Sequence, residues 1–329
     1  MKLNKSIESQ IFEIKTEHDF NNLAVSVFQF QYENNPIYKA YTDSLNIKPE
    51  TISNYHHIPF LPIEFFKSKK IVSGKINSNA VCFSSSATTG QITSKHYVKT
   101  VSLYEKSFTK GFELFYGYIS EYCFLALLPA YLEREDSSLV YMVNHLIRET
   151  QHPLSGFYLN NLNELIDTIN QLKNQKTILL GVSYALLDLA EKNIALAENF
   201  IVMETGGMKG KRKELTKEEL HQMLKDKFKV KHIHSEYGMT ELLSQSYSKA
   251  NGIYHTVPWK RILIRDVNDP FNYLELEKTG GINVIDLANL YSCSFIETKD
   301  LGKVYKDNSF ELSGRFDVSD LRGCNLLLQ

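Results

Sequence analysis

From Ala80 to about residue 245 the chain alternates short apolar runs with helix-patterned segments, and this alternation restricts the possible folds more than any other feature. Val81-Cys-Phe83, Tyr122 to Leu128, Thr177 to Leu180, Phe200 to Met203 and Lys231 to His234 read as strands. Between them, Leu103 to Gly117 sets Tyr104, Phe108, Phe112 and Phe115 on one helical side. Ser137 or Ser138 caps a helix running to Arg148, and Leu162, Leu165, Ile166, Ile169 and Leu172 mark another. Thr216-Lys-Glu-Glu219 opens a further helix with a capping box. Strand–helix repetition of this kind predicts an α/β fold with a doubly wound, mainly parallel sheet.

The flanking segments differ in character. Residues 1–79 form a helical and extended packing region: Phe20, Leu23, Ala24, Val27 and Phe28 give an amphipathic helix over Asp19 to Tyr32, whereas the two prolines of His57 to Phe66 favour an extended path. Residues 80–245 are the α/β core. Residues 246–329 change to short β-type runs (Ile253 to Val257, Ile262 to Arg265, Ile282 to Ile285, Ser294 to Glu297, Lys303 to Tyr305, Phe310 to Leu312), which predicts a β-rich subdomain.

A hydrophobic share of 43% over 329 residues suffices for a sizeable core, and a net charge of −1 gives no field that would gather nucleic acid or an acidic membrane surface. No stretch approaches the ~18 apolar residues of a membrane span, and the first residues lack the pattern of a secretory signal, so the expected location is the cytoplasm. Cys82, Cys123, Cys293 and Cys324 have no zinc-type spacing. The first three sit in apolar surroundings, where a buried free thiol is expected. Cys324 follows an Arg-Gly pair near the end of the sequence.

Candidate chemistry gathers where strands end, because in an open parallel sheet the loops beyond the carboxyl edge line the ligand crevice. Three loops qualify: Ser84 to Lys95, Glu204 to Arg212, and Ser235 to Glu241. Hydroxyls and a glycine at Ser85, Ser86, Thr88, Thr89 and Gly90 offer donors to phosphate oxygens, and Lys95 offers a cation. Gly206-Gly207 lets backbone approach a flat ring, and Glu241 suits a Mg²⁺ ion bridging phosphates. Each loop alone also reads as an ordinary connection, and the first lacks Walker A spacing. His232 and His234 read as structural residues of a strand.

Taken in order, the loops resemble those of the adenylate-forming superfamily of acyl-CoA synthetases, luciferases and peptide-synthetase adenylation domains. Ser85-Ser-Ala-Thr-Thr-Gly90 is similar to its phosphate loop, Tyr237-Gly-Met-Thr-Glu241 to its Tyr-Gly-x-Thr-Glu motif, and Gly206-Gly207 to its adenine-side glycines. Thr298-Lys-Asp300-Leu-Gly is similar to the ribose-binding segment, and Gly314-Arg315-Phe-Asp317 to the Gly-Arg-x-Asp hinge. More narrowly, Ile58 to Lys67, Leu127 to Arg134, Gly181 to Asp188, Glu204 to Gly207 and Arg322-Gly-Cys324 resemble the LuxE-type acyl-protein synthetases, long-chain fatty acid–protein ligases of the same superfamily.

This resemblance implies the large N-terminal domain of the superfamily without its usual C-terminal domain, and an ATP- and Mg²⁺-dependent ligase that converts a carboxylic acid, a fatty acid in the LuxE type, into an acyl-adenylate. It assigns Ser85, Ser86, Thr88, Thr89 and Gly90 to the β/γ-phosphates, with Lys95 as a further cation. Thr240 and Glu241 go to the α-phosphate and Mg²⁺; Gly206, Gly207, Tyr237 and Gly238 surround the adenine; Asp300 and Arg315 take the ribose. Cys324 becomes the thiol that receives the acyl group, and Asp317 is within roughly 23 Å of it along an extended chain. A reductase or acyltransferase partner is implied by analogy with luminescence complexes. Ala87 departs from the family's glycine, and Lys95 stands further from Gly90 than the family's lysine. Two other readings stay open: delivery of the acyl group to CoA, a carrier protein or another acceptor with Cys324 structural, and a degenerate acyl-binding scaffold.

Overall fold

A computed structural model describes residues 6–75, 80–85, 92–129, 134–206 and 215–315. The expected site residues Ser86, Thr88, Thr89, Gly90, Gly207 and Cys324 lie outside these. The described residues divide into two units. The first takes residues 6–75, 80–82, 92–101 and 256–315, and the second 83–85, 102–129, 134–206 and 215–255.

In chain order the first unit begins with helices α1 (Ile7–Gln10), α2 (Glu17–Asn34) and α3 (Pro36–Ser44), strand β1 (Leu61–Pro62) and a helical turn α4 (Phe65–Ser68). A capping box joins Thr16 and Asp19 at the start of α2, whose inner face buries Phe20, Leu23, Ala24, Val27, Phe28 and Gln31. The polar exception is satisfied: Gln31 Nε2 donates to the carbonyls of Asn289 and Leu290, at 3.0 Å each, and its Oε1 accepts from the Ser294 amide. Strand β2 (Val81–Ser84) carries the chain across the division, and β3 (Lys95–Val98) returns to the first unit.

The second unit continues with α5 (Val101–Tyr116), β4 (Cys123–Leu127), α6 (Ser138–Thr150), β5 (Gly156–Phe157), α7 (Leu162–Gln171), β6 (Thr177–Val182), α8 (Ser183–Ala190), β7 (Phe200–Thr205), α9 (Lys217–Phe228) and β8 (His234–Tyr237). Strands run β8-β7-β6-β4-β5, each pair parallel, and β9 (Ser246–Ser248) joins β8 antiparallel. Every residue of β4 and β6 is buried, as expected of strands covered on both faces. Ser137 caps α6, Asn161 caps α7, and the Thr216–Glu219 capping box opens α9 as expected. This is the α/β fold with a largely parallel sheet that the alternation predicts.

One strand is displaced from its expected position. The Lys231 to His234 run is not the strand; β8 begins at His234 and pairs Ser235 with Glu204 and Glu236 with Thr205. The loop expected to start at Ser235 therefore starts at Gly238. Two further expectations are corrected. The runs Ser294 to Glu297 and Lys303 to Tyr305 fall largely within one strand, Phe295–Val304, and Cys82 is exposed because it sits near the start of the short β2 and not inside a covered sheet.

The chain returns to the first unit through β10 (Ile253–Thr256), followed by β11 (Lys260–Arg265), β12 (Gly280–Asp286), β13 (Phe295–Val304) and β14 (Phe310–Arg315), the last four forming an antiparallel ladder with β1 added parallel to β13. Its core joins Phe28, Tyr38, Phe60 and Phe295 through ring contacts of 6.0 to 6.3 Å. Buried Arg265 donates to the Ile282 and Thr298 carbonyls and lies 3.4 Å from Glu297. Gly302 marks the tightest approach: a Cβ there would stand 2.2 Å from the Glu311 carbonyl oxygen. Gly302→Ala is expected to cost about 1–3 kcal/mol through backbone displacement, read as a lower denaturant midpoint.

Candidate functional site

The parallel order places the carboxyl ends of β4, β6, β7 and β8 side by side, and there the second unit holds a cavity of about 200 Å³. Val182 ends β6, Thr205 and Gly206 follow from β7, and Glu236, Gly238, Met239 and Thr240 follow from β8; Ser84, Arg134 and the start of α6 close other sides. Of the expected site residues, the structure thus brings Gly206, Gly238 and Thr240 to one cavity. Gly206 has φ of 66°, the left-handed region that glycine enters without a Cβ penalty, and its carbonyl accepts from Ser183 Oγ at 3.1 Å.

Other expected residues stand elsewhere. Tyr237, one position beyond Glu236, packs its ring 6.0 Å from that of Tyr254 and does not line the cavity. Glu241 follows Thr240 in sequence but is only 5% exposed. Ser85 is half-buried directly after the cavity residue Ser84, while Lys95 is exposed at the start of β3 in the first unit. Asp300 and Arg315 also belong to the first unit, where the ladder sets them opposite each other with Arg315 Nε 3.6 Å from Asp300 Oδ1. Arg315 is 72% exposed and Asp300 18%, so the pair presents a guanidinium beside a half-sheltered carboxylate.

Sequence reasoning missed the acidic floor of the cavity. Glu236 is 6% exposed, and Thr205 Oγ1 donates to its Oε2 at 2.5 Å. Gly238 permits this placement: a Cβ at that position would fall 2.5 Å from Glu236 Oε1. At the rim, the Asp136 carboxylate accepts from Ser84 Oγ and, at 3.1 Å, from Arg134 Nε. The Ser84 hydroxyl, then Arg134, hold the Asp136 carboxyl below its usual pKa, so it stays ionised.

Behind the cavity floor, Glu204 of β7 is 2% exposed and accepts from Lys217 Nζ at 2.7 Å, with His221 Nε2 at 3.5 Å and Tyr254 Oη also bonded to Lys217. Burial pushes the Glu204 carboxyl up, but the His221 contact and the Lys217 charge outweigh it and hold the pKa below the usual value. The Lys217 ammonium, which burial alone would lower, is raised by Glu204.

His234, at the start of β8, meets Tyr116 through a 3.2 Å contact between Nδ1 and Oη. Burial, then the charges of Lys249 and His232, push its pKa down to about 4. The unfolded imidazole takes its proton near about 6.5. Between these values the unfolded chain binds more protons than the folded one, so stability falls as the pH drops through this window. Discounted for partial exposure, the loss is about 1–2 kcal/mol. His234→Asn should flatten that part of a curve of denaturant midpoint against pH.

Among the described residues no group of three or more His, Cys, Asp or Glu side chains gathers to cage a metal ion, and no helix is long and apolar enough to cross a membrane. A Mg²⁺ ion borne by phosphates needs only one or two protein carboxylates, and Glu241, adjacent in sequence to Thr240, has the right donor chemistry.

No protein-family model and no curated protein sequence matches the chain. Solved structures do. ATP-bound MatB of Rhodopseudomonas palustris superposes with a TM-score of 0.55 at 14% identity, covering 71% of this chain and 47% of that one. A long-chain-fatty-acid-CoA ligase of Archaeoglobus fulgidus gives 0.54 at 13% identity, over 74% and 53%. An open conformation of 2-hydroxyisobutyryl-CoA ligase, in complex with 2-HIB-AMP and CoA, gives 0.66 at 10% identity, over 93% and 72%. The chain spans about half the length of the first two, and at these identities the likeness establishes the fold these structures share.

Proposed function

We propose that the protein is an ATP-dependent ligase that activates a carboxylic acid as its acyl-adenylate. The observation that carries this reading is the convergence of Gly206, Gly238 and Thr240 on one cavity at the carboxyl ends of parallel strands, in a fold shared with an ATP-bound structure.

In the reaction a carboxylate oxygen attacks the α-phosphorus of ATP, and the bond to the bridging oxygen breaks as pyrophosphate leaves with its electron pair. The protein's work is positioning and charge stabilisation. Thr240 donates its hydroxyl to an α-phosphate oxygen as charge builds there; the resemblance gives the adenine to Gly206, Gly207 and Tyr237. The resemblance gives the outer phosphates to Ser85, Ser86, Thr88, Thr89 and Gly90, and the ribose to Asp300 and Arg315. Glu241 is the residue that would hold Mg²⁺, which when bound neutralises phosphate charge.

The acyl group then passes to the Cys324 thiol. The thiolate attacks the acyl carbon, a thioester forms and AMP leaves. At an ordinary pKa of about 8.5 only a few per cent of the thiol is ionised near neutral pH, and Arg322 two residues away favours the thiolate. The CoA-ligase names of two solved neighbours favour a second acceptor, CoA itself.

Acid-dependent ATP–pyrophosphate exchange tests the first step; its absence with every acid tried overturns the proposal. The second step is tested with labelled acid, ATP and Mg²⁺. Hydroxylamine-labile label is expected on the wild-type protein and none on Cys324→Ser; label surviving that substitution, or appearing only on added CoA, assigns the acyl group to another acceptor.

A further inference from the structure

Arg134 is the described cation on the cavity wall, and its surroundings leave most of its donors unspent. Its Nε donates to Asp136 Oδ1 at 3.1 Å, while Nη1 and Nη2 have no partner among the described residues. The side chain is 34% exposed, so a ligand can reach it. A guanidinium held at one edge still offers a planar fork of N–H groups that matches the oxygens of a phosphate.

Several contacts fix where that fork stands. Asp136 accepts from Arg134 through Oδ1 and from Ser84 Oγ through Oδ2, and its carbonyl accepts from the Ser84 amide at 2.8 Å. The Ser137 amide donates to the Arg134 carbonyl at 3.0 Å, closing a turn directly before α6. The arginine is thereby tied to β2, although it lies in a connection. Both Asp136 oxygens are engaged, so this carboxylate orients the guanidinium and leaves the ligand to it.

The same wall favours negative charge. Ser137 to Val140 line the cavity as the cap and first turn of α6, the positive end of a 13-residue helix dipole. Ser84 directly precedes Ser85, the first residue to which the resemblance gives the outer phosphates. Lys95, the cation expected from the sequence, belongs to the first unit and does not line this cavity.

Building on the adenylation reading, we propose that Arg134 binds the β- and γ-phosphates of ATP, with Asp136 and Ser84 as its positioning residues. When the carboxylate oxygen bonds to the α-phosphorus, the bond to the bridging oxygen breaks and pyrophosphate departs with the electron pair. The Arg134 fork meets the charge that grows on this leaving group, while Thr240, at the end of β8, serves the α-phosphate.

The experiment measures ATP and AMP binding to the full-length protein by calorimetry, with Mg²⁺ present, because AMP lacks the groups assigned to Arg134. Arg134→Met is expected to weaken ATP binding by about 10- to 100-fold, the usual loss of charge-assisted hydrogen bonds, and to leave AMP binding within about 2-fold of wild type. Arg134→Lys keeps the charge without the fork and should lose about 3- to 10-fold for ATP alone. Asp136→Ala should also weaken ATP and spare AMP, and combining it with Arg134→Met should cause no further loss, since it acts through the arginine. A purely structural role for Asp136 would weaken both nucleotides.

ATP binding unchanged in Arg134→Met, or ATP and AMP binding falling together, overturns this proposal; acid-dependent exchange by the wild type then leaves the adenylation reading standing. Absence of exchange with every acid, in a protein whose ATP binding depends on Arg134, overturns the adenylation reading instead. A wild type that binds neither nucleotide overturns both. If Arg134→Met fails to fold, Arg134→Lys decides by the same comparison.

Discussion

Thr240→Ala is expected to lower acid-dependent pyrophosphate exchange by about 100- to 1,000-fold, the usual effect of removing one preorganised donor from developing transition-state charge. The residue lines the cavity just beyond Gly238 and Met239, at the end of β8 where that strand pairs with β7. Because the interaction strengthens as the α-phosphorus is attacked, the loss belongs in kcat as well as in kcat/KM. Thr240→Ser keeps the donor and should recover most of the rate. The melting temperature of both variants should stay close to wild type, since the residue is only part-buried. Exchange unchanged in Thr240→Ala would remove this residue from the reaction.

Lys217→Met should cost about 2–4 kcal/mol of stability, because it leaves the 2%-exposed Glu204 carboxylate without its ammonium partner, held only by the weaker contacts to His221 and Ser235. The double variant Glu204→Gln with Lys217→Met should lose less than the single one, as the uncompensated charge is then absent. The acid limb gives an independent readout. In the wild type the Glu204 pKa is depressed, so the unfolded chain protonates first and the pair's contribution disappears as pH falls below the usual carboxylate value. Without the Lys217 ammonium the carboxyl protonates at higher pH, and acid unfolding should begin earlier. An unchanged denaturant midpoint and acid limb would mean that the pair adds nothing.

The sequence discloses the strand–helix alternation better than it discloses the cavity. Apolar runs identify β4, β6 and β7 because Cys123 to Leu127, Ile178 to Leu180 and Phe200 to Met203 are hydrophobic, although Thr177, Glu204 and Thr205 are buried polar residues of the same strands. It fails at β8, where Ser235 and Glu236 are buried but polar, so no apolar pattern marks the strand. That failure hides Glu236 as well, since a carboxylate in a supposed loop raises no question about burial. Gln245 carries no signal at all: its place beside the cavity, 5% exposed, is created only by three-dimensional packing. By contrast, Asp300 and Arg315 are visible as motif residues, and the Asp307-Asn308 turn between Lys303 to Tyr305 and Phe310 to Leu312 makes their hairpin readable. The antiparallel register then sets them face to face.

The Glu204–Lys217 contact also acts as a neck. It ties the end of β7 to the first turn of α9 across a separation of 13 residues, so the intervening segment begins and ends at points fixed by an ion pair and a capping box. The pair therefore fixes the end of β7, where the cavity residues Thr205 and Gly206 lie, against the start of α9.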